Sequence, residues 1–254
     1  MNLPQFSLQG KTALVTGSSR GIGRSILLGL AELGADVVVH GVRAGESSEE
    51  VLAAAKALGV QATFIAGDLS APGGGRRFAE AVLKAVGRID ILVLNASVQM
   101  RKDWLEISPE DFDFQMRTNF QASLEMLQVF APAMQSVGWG RILTVGSVQQ
   151  AKPHPHMLVY AASKCAQMSL VDSLARDLAP SGISVNNLAP GVILTDRNTD
   201  ALADDDYAEA VRSKIPSGFF GESKDCVGLA QLLCSEAGRY ITGQNIYVDG
   251  GMGL

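Results

Sequence analysis

Residues 15–26 read VTGSSRGIGRSI: the end of an apolar run, a glycine turn and the first letters of a helix. That order decides the fold. Ahead of it stands the β-branched run TALVT (12–16), and after it Ile22, Ile26, Leu30 and Leu33 keep a helical period that stops at Gly34, a C-terminal cap. Gly17, Gly21 and Gly23 are spaced G-x-x-x-G-x-G. Glycines in such a turn let the backbone bend tightly and approach a pyrophosphate seated on the helix N-terminus. A glycine-rich turn alone also serves as a plain strand–helix link. The reading therefore rests on its place between an apolar strand and an amphipathic helix.

The same alternation continues outward. Short apolar runs recur at DVVVH (36–40), ATFIA (62–66), DILVL (90–94), RILTV (141–145), ISVNN (183–187) and NIYV (245–248). Unbroken apolar runs of this length predict parallel strands covered on both faces. Between them the spacing predicts helices at 46–58, at 76–87 behind the Pro-Gly turn of 72–75, at 109–136 behind the cap Ser108-Pro109-Glu110, and at 157–179. The whole reads as an α/β fold, a Rossmann-type doubly wound parallel sheet of about seven strands with helices on both faces, a three-layer sandwich. Without an internal repeat or linker, residues 1–254 are expected to form a single dinucleotide-binding and catalytic domain. The acidic stretch 195–222 interrupts the alternation, and a loop of that length predicts a substrate lid.

Composition removes several classes of function. With 47% hydrophobic and 19% charged residues over 254 positions, the chain has the balance of a soluble globular protein. A formal charge of −5 leaves no basic excess for phosphates, so no nucleic-acid partner is expected. Cys165, Cys226 and Cys234 lie far apart without C-x-x-C spacing, as reduced thiols of a cytoplasmic protein do. The start MNLPQFSLQGK lacks the segments of a signal peptide, and no apolar run approaches a membrane span. No membrane partner is expected either.

A second stretch, VYAASKCAQ (159–167), sets Tyr160 and Lys164 four positions apart, on one face of a helix. Alone it would be a surface pair. Joined to T16-G17-x-x-x-G21-I22-G23, and to Ser147 thirteen residues before the tyrosine, it resembles the short-chain dehydrogenase/reductase family. The resemblance covers nearly the whole chain. Asp68 in AGDLS matches the family's aspartate at the adenine, and Asn95-Ala96 the core of its N-N-A-G turn. Asn119 in RTNFQAS matches its helix-four asparagine, Pro190 to Thr195 its P-G-x-x-x-T turn beside the nicotinamide, and YITGQNIYVDGGM its C-terminal segment.

The resemblance implies hydride transfer between a nicotinamide and a ketone or secondary alcohol, with Asn119, Ser147, Tyr160 and Lys164 as catalytic residues. It lays the cofactor along Gly17, Ser19, Arg20, Gly21, Ile22 and Gly23, then Arg43, Asp68, Leu69, Asn95 and Ala96. Tyr160, Lys164, Pro190, Gly191, Ile193 and Thr195 complete that set. A free phenol ionises near pH 10, too high for acid/base work at neutral pH, and a cation one helical turn away favours the phenolate. Lys164 would thus make Tyr160 usable, and by the resemblance it also holds the nicotinamide ribose. Ser147 would hydrogen-bond the substrate oxygen. Asn119 resembles the family residue that holds a water in the relay to Lys164.

Two departures stand out. The N-N-A-G turn reads Leu94-Asn95-Ala96-Ser97, and the loop between Ser147 and Tyr160 carries Gln149, Gln150, Lys152, His154 and His156. His154-Pro155-His156 has no Cys, Asp or Glu nearby in sequence, so no metal is expected. An NAD-preferring enzyme carries an acid after strand two, where this chain has Gly41. Arg20 and Arg43 would instead meet a 2′-phosphate, which predicts NADP(H) in preference to NAD(H).

For the substrate, the resemblance places Gln99, Gln149 and His154, with Arg101, Gln150 and the lid, at the pocket, and that set predicts a polar site for a small ketone or alcohol such as a sugar, sugar acid or polyol. The alternative is a 3-oxoacyl-acyl-carrier-protein reductase, which the tail IPSGFFGE also resembles, with Phe219 and Phe220 lining an apolar channel. Arg176 matches a docking arginine of such enzymes. Against an acidic carrier stand PAMQSVGWGRI, without a basic residue before Arg141, and the lid's Asp196, Asp200, Asp204, Asp205 and Asp206. A non-catalytic nicotinamide-binding sensor or scaffold is disfavoured, because it needs no intact acid. The resemblance further implies a homotetramer of 222 symmetry built on helices 109–136 and 157–179 and on the last helix–strand unit.

Overall fold

The structure, a computed structural model, describes residues 3–199 and 202–254. Asp200 of the lid lies outside the described residues, as do Met1, Asn2 and Ala201. The first half runs β1 (Thr12–Val15), α1 (Gly21–Glu32), β2 (Asp36–Gly41), α2 (Glu46–Ala57), β3 (Ala62–Ala66), α3 (Gly74–Val86) and β4 (Ile91–Leu94). The second runs α4 (Pro109–Met116), α5 (Ala122–Val137), β5 (Gly140–Val145), α6 (Leu158–Leu178) and β6 (Ile183–Pro190). Then come β7 (Ile193–Leu194), α7 (Asp196–Thr199), α8 (Asp205–Arg212), β8 (Gly221–Glu222), α9 (Val227–Leu233) and β9 (Asn245–Val248).

Seven strands form one parallel sheet in the order β3-β2-β1-β4-β5-β6-β9. Strand order reverses between β1 and β4, which opens a crevice beyond their C-terminal ends. Side chains along each strand alternate between two cores. Ala13 and Val15 pack with Leu27, Leu30, Val51 and Leu233, while Leu14 packs with Phe78, Val82, Met126, Phe130 and Val171. One face is thus covered by α1, α2 and α9, the other by α3, α5 and α6. Both sides being covered explains why the strands read as unbroken apolar runs. The edge strands β3 and β9 have one flank open and are only partly buried.

Two expectations need correction. The helix expected over 109–136 is interrupted by a π-type turn at Arg117–Gln121, which separates α4 from α5. Its start is as expected: Ser108 Oγ accepts from the Asp111 amide at 3.1 Å, and Asp111 Oδ2 accepts from the Ser108 amide at 3.2 Å. The stretch 195–222, expected as a lid, is also not one irregular loop. Asp204 Oδ1 caps α8 by accepting from the Tyr207 amide at 2.9 Å, and β7 pairs with β8 (Ile193 with Gly221, Leu194 with Glu222), bringing the two ends of the stretch together. Among the described residues no helix is long and apolar enough to cross a membrane.

Candidate active site

The glycine turn sits at the switch point. Gly17 and Gly21 have φ of +65° and +57°, a region that a β-carbon resists. A β-carbon at Gly23 would lie 2.5 Å from the Gly17 carbonyl oxygen and from Asn95 Nδ2, so α1 can start against the turn only with glycine there. Asn95 fastens the turn to β4: its Nδ2 donates to the carbonyls of Thr16 (2.8 Å) and Gly17 (3.2 Å). The Asn95 and Ala96 amides both donate to Thr16 Oγ1 at 2.9 Å. These contacts come from Asn95 and Ala96, the two positions of the N-N-A-G turn that the chain keeps.

Sequence reasoning missed His40. The Gly17 amide donates to its Nδ1 at 2.8 Å, and Nε2 lies 3.0 Å from the Gly67 carbonyl, so the ring is the neutral Nε2–H tautomer. Burial pushes the imidazole down to about 4. The available signal was a histidine closing the strand next to the one that carries the glycine turn.

The rest of the crevice fits a dinucleotide. Helix α1 has no side-chain cap at Arg20, so its first amides are left for an anion. The Gly191 amide donates to the Val248 carbonyl at 3.0 Å and so fixes the 190–195 turn. Thr195 Cγ2 would lie 3.5 Å from a β-carbon at Gly21. Asp68 is exposed beside buried Leu69, and hydrogen bonds from the Ser70 hydroxyl and amide hold its carboxyl below the usual range. At the end of β2, a β-carbon at Gly41 would lie 3.5 Å from the Arg43 carbonyl and 3.7 Å from Ser19 Oγ. Arg43 is exposed, and the Arg20 guanidinium stands 3.7 Å from Asp196 of α7.

On the other side of the crevice the four catalytic candidates are buried and tied together. Tyr160 and Lys164 share one face of α6, with the ammonium 5.7 Å from the phenol ring centroid. Lys164 Nζ donates to the Val145 carbonyl at 2.7 Å and to Gln167 Oε1 at 2.9 Å. Ser147 follows β5, and its Oγ accepts from the Gln149 amide at 3.2 Å. Asn119 lies in the π-type turn, a feature frequent at functional sites. Its Oδ1 accepts from the Val98 amide at 2.8 Å, and its Nδ2 donates to the Val98 carbonyl and to Ser163 Oγ, each at 2.9 Å. The asparagine side chain therefore clamps the loop after β4 to α6.

Of the expected pocket residues, Gln150 turns inward. Its Oε1 accepts from the Ser147 amide and from Asn187 Nδ2, both at 3.1 Å, and its Nε2 donates to the Lys164 carbonyl at 3.0 Å. It braces the site from beneath. Gln99 is half-buried after β4. Gln149 Oε1 accepts from the His154 amide at 2.6 Å. His154 Nδ1 accepts from the His156 amide at 3.1 Å, so the neutral ring carries its proton on Nε2, which faces Arg101 Nη2 across 3.4 Å. Burial first, then Arg101, His156 and Lys214, hold this imidazole below its ordinary range. Arg101 Nη2 also donates to Tyr207 Oη of α8 at 3.1 Å, a partner not foreseen from sequence. A cavity of about 410 Å³ lies between Gln149, His154 and the Leu158, Ala161 and Cys165 side of α6; Ser147, Tyr160 and Lys164 do not line it. Among the described residues no group of three or more His, Cys, Asp or Glu could hold a metal ion.

A glycine turn at the switch point and a lysine-backed phenol across from it define a nicotinamide-dependent oxidoreductase of the Rossmann type. Known proteins narrow the class. The family described as Enoyl-(Acyl carrier protein) reductase matches residues 17–253. Gluconate 5-dehydrogenase of Gluconobacter oxydans (strain 621H) is 36% identical over 247 residues, 97% of this chain and 96% of that protein. The crystal structure of a 3-oxoacyl (acyl-carrier-protein) reductase from Agrobacterium tumefaciens C58 with NADP bound matches with a TM-score of 0.94 at 42% identity, covering 99% of this chain and 98% of that one. A gluconate 5-dehydrogenase from Burkholderia cenocepacia J2315, in complex with NADP and tartrate, gives 0.91 at 33% identity over 98% and 97%. The chain belongs to the short-chain dehydrogenase/reductase family.

Proposed function

We propose that this protein uses NADP(H) to interconvert the ketone and secondary alcohol of a small polar acid, in the sugar-acid class. The observation that carries the substrate class is the facing pair of Arg101 Nη2 and the His154 Nε2–H, two donors 3.4 Å apart. Two donors this close cannot bond each other, and both can reach one anionic oxygen lying to the side of the pair, with the guanidinium making that contact charge-assisted. Gln149 links this pair to Ser147, its side chain accepting from the His154 amide and its own amide donating to Ser147 Oγ.

A bound nicotinamide supplies or takes the hydride; the protein does the rest. In reduction the Tyr160 hydroxyl gives its proton to the carbonyl oxygen, and in oxidation the phenolate takes the alcohol proton. Ser147 Oγ donates a hydrogen bond to the same oxygen, where charge develops. Lys164 stabilises the phenolate and holds the ribose hydroxyls. Asn119, its amide engaged by Val98 and Ser163, is left with its main chain for any part in a relay. The single chain acts as one catalytic domain on a small-molecule substrate. Reduced Cys165, Cys226 and Cys234 favour the cytoplasm. Exposed Phe112 and Phe114 on α4 favour the homotetramer that the family resemblance implies.

The 42% identity to a 3-oxoacyl reductase keeps a second reading in play. Exposed Phe219 favours an apolar channel, but the Arg212 guanidinium covers Phe220 at 5.2 Å. Arg176 is exposed, but Arg141 is buried and the stretch before it has no basic residue, which disfavours a carrier-protein partner. Nucleotide oxidation and reduction measured across D-gluconate, other sugar acids, polyols and acetoacetyl thioesters separates the readings. Sugar acids are expected to lead, and Arg101→Ala should raise their KM about tenfold or more with little change in kcat, as loss of a charged hydrogen bond does. Acetoacetyl thioesters outpacing every polar ketone would establish the second reading instead. For the cofactor, exposed Arg43 and Arg20 support a 2′-phosphate contact. NADPH is expected to give the higher kcat/KM, and Arg20→Ala with Arg43→Ala to erode that advantage at low salt. A native preference for NADH would refute the assignment.

A further inference from the structure

Helix α6 places Gln167 three residues after Lys164, on the same face. Its side chain is fully buried, where a leucine would fill about the same volume without an amide to satisfy. Both ends of the amide are engaged. Oε1 accepts from Lys164 Nζ at 2.9 Å, and Nε2 donates to Ser123 Oγ at 3.2 Å. Ser123, in the first turn of α5, donates its own hydroxyl hydrogen bond to the Asn119 carbonyl at 3.2 Å. The result is a run of three hydrogen bonds with one direction, from the Lys164 ammonium through Gln167 and Ser123 to the main chain of the π-type turn. All four residues are buried.

We propose that Gln167 is a positioning residue of the active site, fixing the Lys164 ammonium against Tyr160 and tying it to the turn that carries Asn119. The inference rests on the reading of Tyr160 and Lys164 as an acid/base pair. A lysine has a flexible stem and three donors, so the direction of its charge is set by the acceptors around it. Here those acceptors include the Val145 carbonyl on one side and the Gln167 amide on the other. A neutral amide holds the ammonium without cancelling the charge that Tyr160 needs. A carboxylate at the same place would hold it and cancel it. The side chains around the pair, Asn119, Ser123, Ser147, Gln150, Ser163 and Gln167, are uncharged, and the charged and titratable groups Arg101 and His154 stand at the pocket's mouth beyond Gln149.

The test uses the full-length protein with Gln167→Glu and Gln167→Leu, and Tyr160→Phe as control. Tyr160 is one of four tyrosines, so its ionisation is read as the tyrosinate absorbance of each protein minus that of its Tyr160→Phe counterpart. In Gln167→Glu the midpoint should rise by roughly one pH unit, because an opposite charge beside the ammonium removes its effect on the phenol. The rising limb of D-gluconate oxidation by NADP+ should move with it. Gln167→Leu should weaken NADPH binding severalfold in a fluorescence titration and lower kcat about tenfold or more, of the order expected when a catalytic group is misplaced. An unchanged midpoint in Gln167→Glu overturns the proposal, and that variant, matched in shape, decides alone if Gln167→Leu does not fold. Loss of activity that tracks only a lower Tm, with the midpoint unmoved, overturns it as well. If Tyr160→Phe turns over like the wild type, the acid/base reading itself falls and takes this proposal with it. An inactive Tyr160→Phe beside an unaltered Gln167→Glu removes this proposal alone.

Discussion

His40 has both ring nitrogens committed, one to the Gly17 amide and one facing the Gly67 carbonyl, and its ring lies 4.4 Å from that of Phe78. Protonation would turn the acceptor Nδ1 into a second donor pointed at the Gly17 N–H. The folded group titrates at about 4, against 6.5 for a free imidazole, so the unfolded chain takes up a proton first as pH falls. Its contribution to stability is therefore complete above pH 6.5 and drains away as pH falls towards 4, by about 3 kcal/mol in all. Urea midpoints at pH 7.5 and 5 should show a steep loss in the wild type and a shallower one in His40→Asn, which keeps an acceptor for Gly17 without titrating. Equal losses in the two proteins would remove His40 from the account. Such residues were not legible in the sequence, because their meaning lies in distant partners. His40 acts on Gly17, Gln167 on a serine 44 residues away, and Tyr207 on an arginine 106 residues away. Tyr160, Lys164, Ser147 and Asn119 were legible because their spacing and neighbours follow a family pattern.

The strands and most helices were legible for a simpler reason: DVVVH or ILVL can be solvated nowhere, so burial on both faces follows from the letters. The π-type turn was not. RTNFQ has an ordinary helical composition, and slipping the hydrogen bonds by one residue leaves no mark on it. The short lid helices were hidden likewise, since DRNT and DDYAEAVR read as polar loop. What holds the π-type turn in place is the helix pair beneath it. A β-carbon at Gly75 of α3 would lie 2.5 Å from the carbonyl oxygen of Ala122 and 2.7 Å from its Cα, backbone atoms at the start of α5 that cannot rotate away. Gly75→Ala should therefore cost about 1–3 kcal/mol, as overpacking does, and appear as a lower urea midpoint with an unchanged slope. Because Ala122 directly follows the turn carrying Asn119, activity should fall as well. An unchanged midpoint would mean that α3 and α5 have slack the packing does not suggest.

At the scale of the molecule, strand order brings the two halves of the chain to one crevice. β1 and β4 deliver the glycine turn and Asn95, β5 and α6 deliver Ser147, Tyr160 and Lys164, and β6 delivers the turn that ends at Thr195. The contact of Arg101 with Tyr207 joins the segment 195–222 to the loop after β4, and Gln149 links His154 to Ser147 nearby. In the proposed mechanism Lys164 serves both the nucleotide and the proton transfer, while Tyr160 is the proton's carrier and not a structural phenol. The most direct measurement compares Tyr160→Phe with the wild type in two assays, NADPH affinity by fluorescence titration and steady-state turnover of the best sugar acid. Removing only the ionisable oxygen should leave affinity within about threefold, while turnover falls by about 100-fold to 10,000-fold, the usual worth of a general acid. Turnover near the wild-type rate with NADPH still bound would contradict the claim.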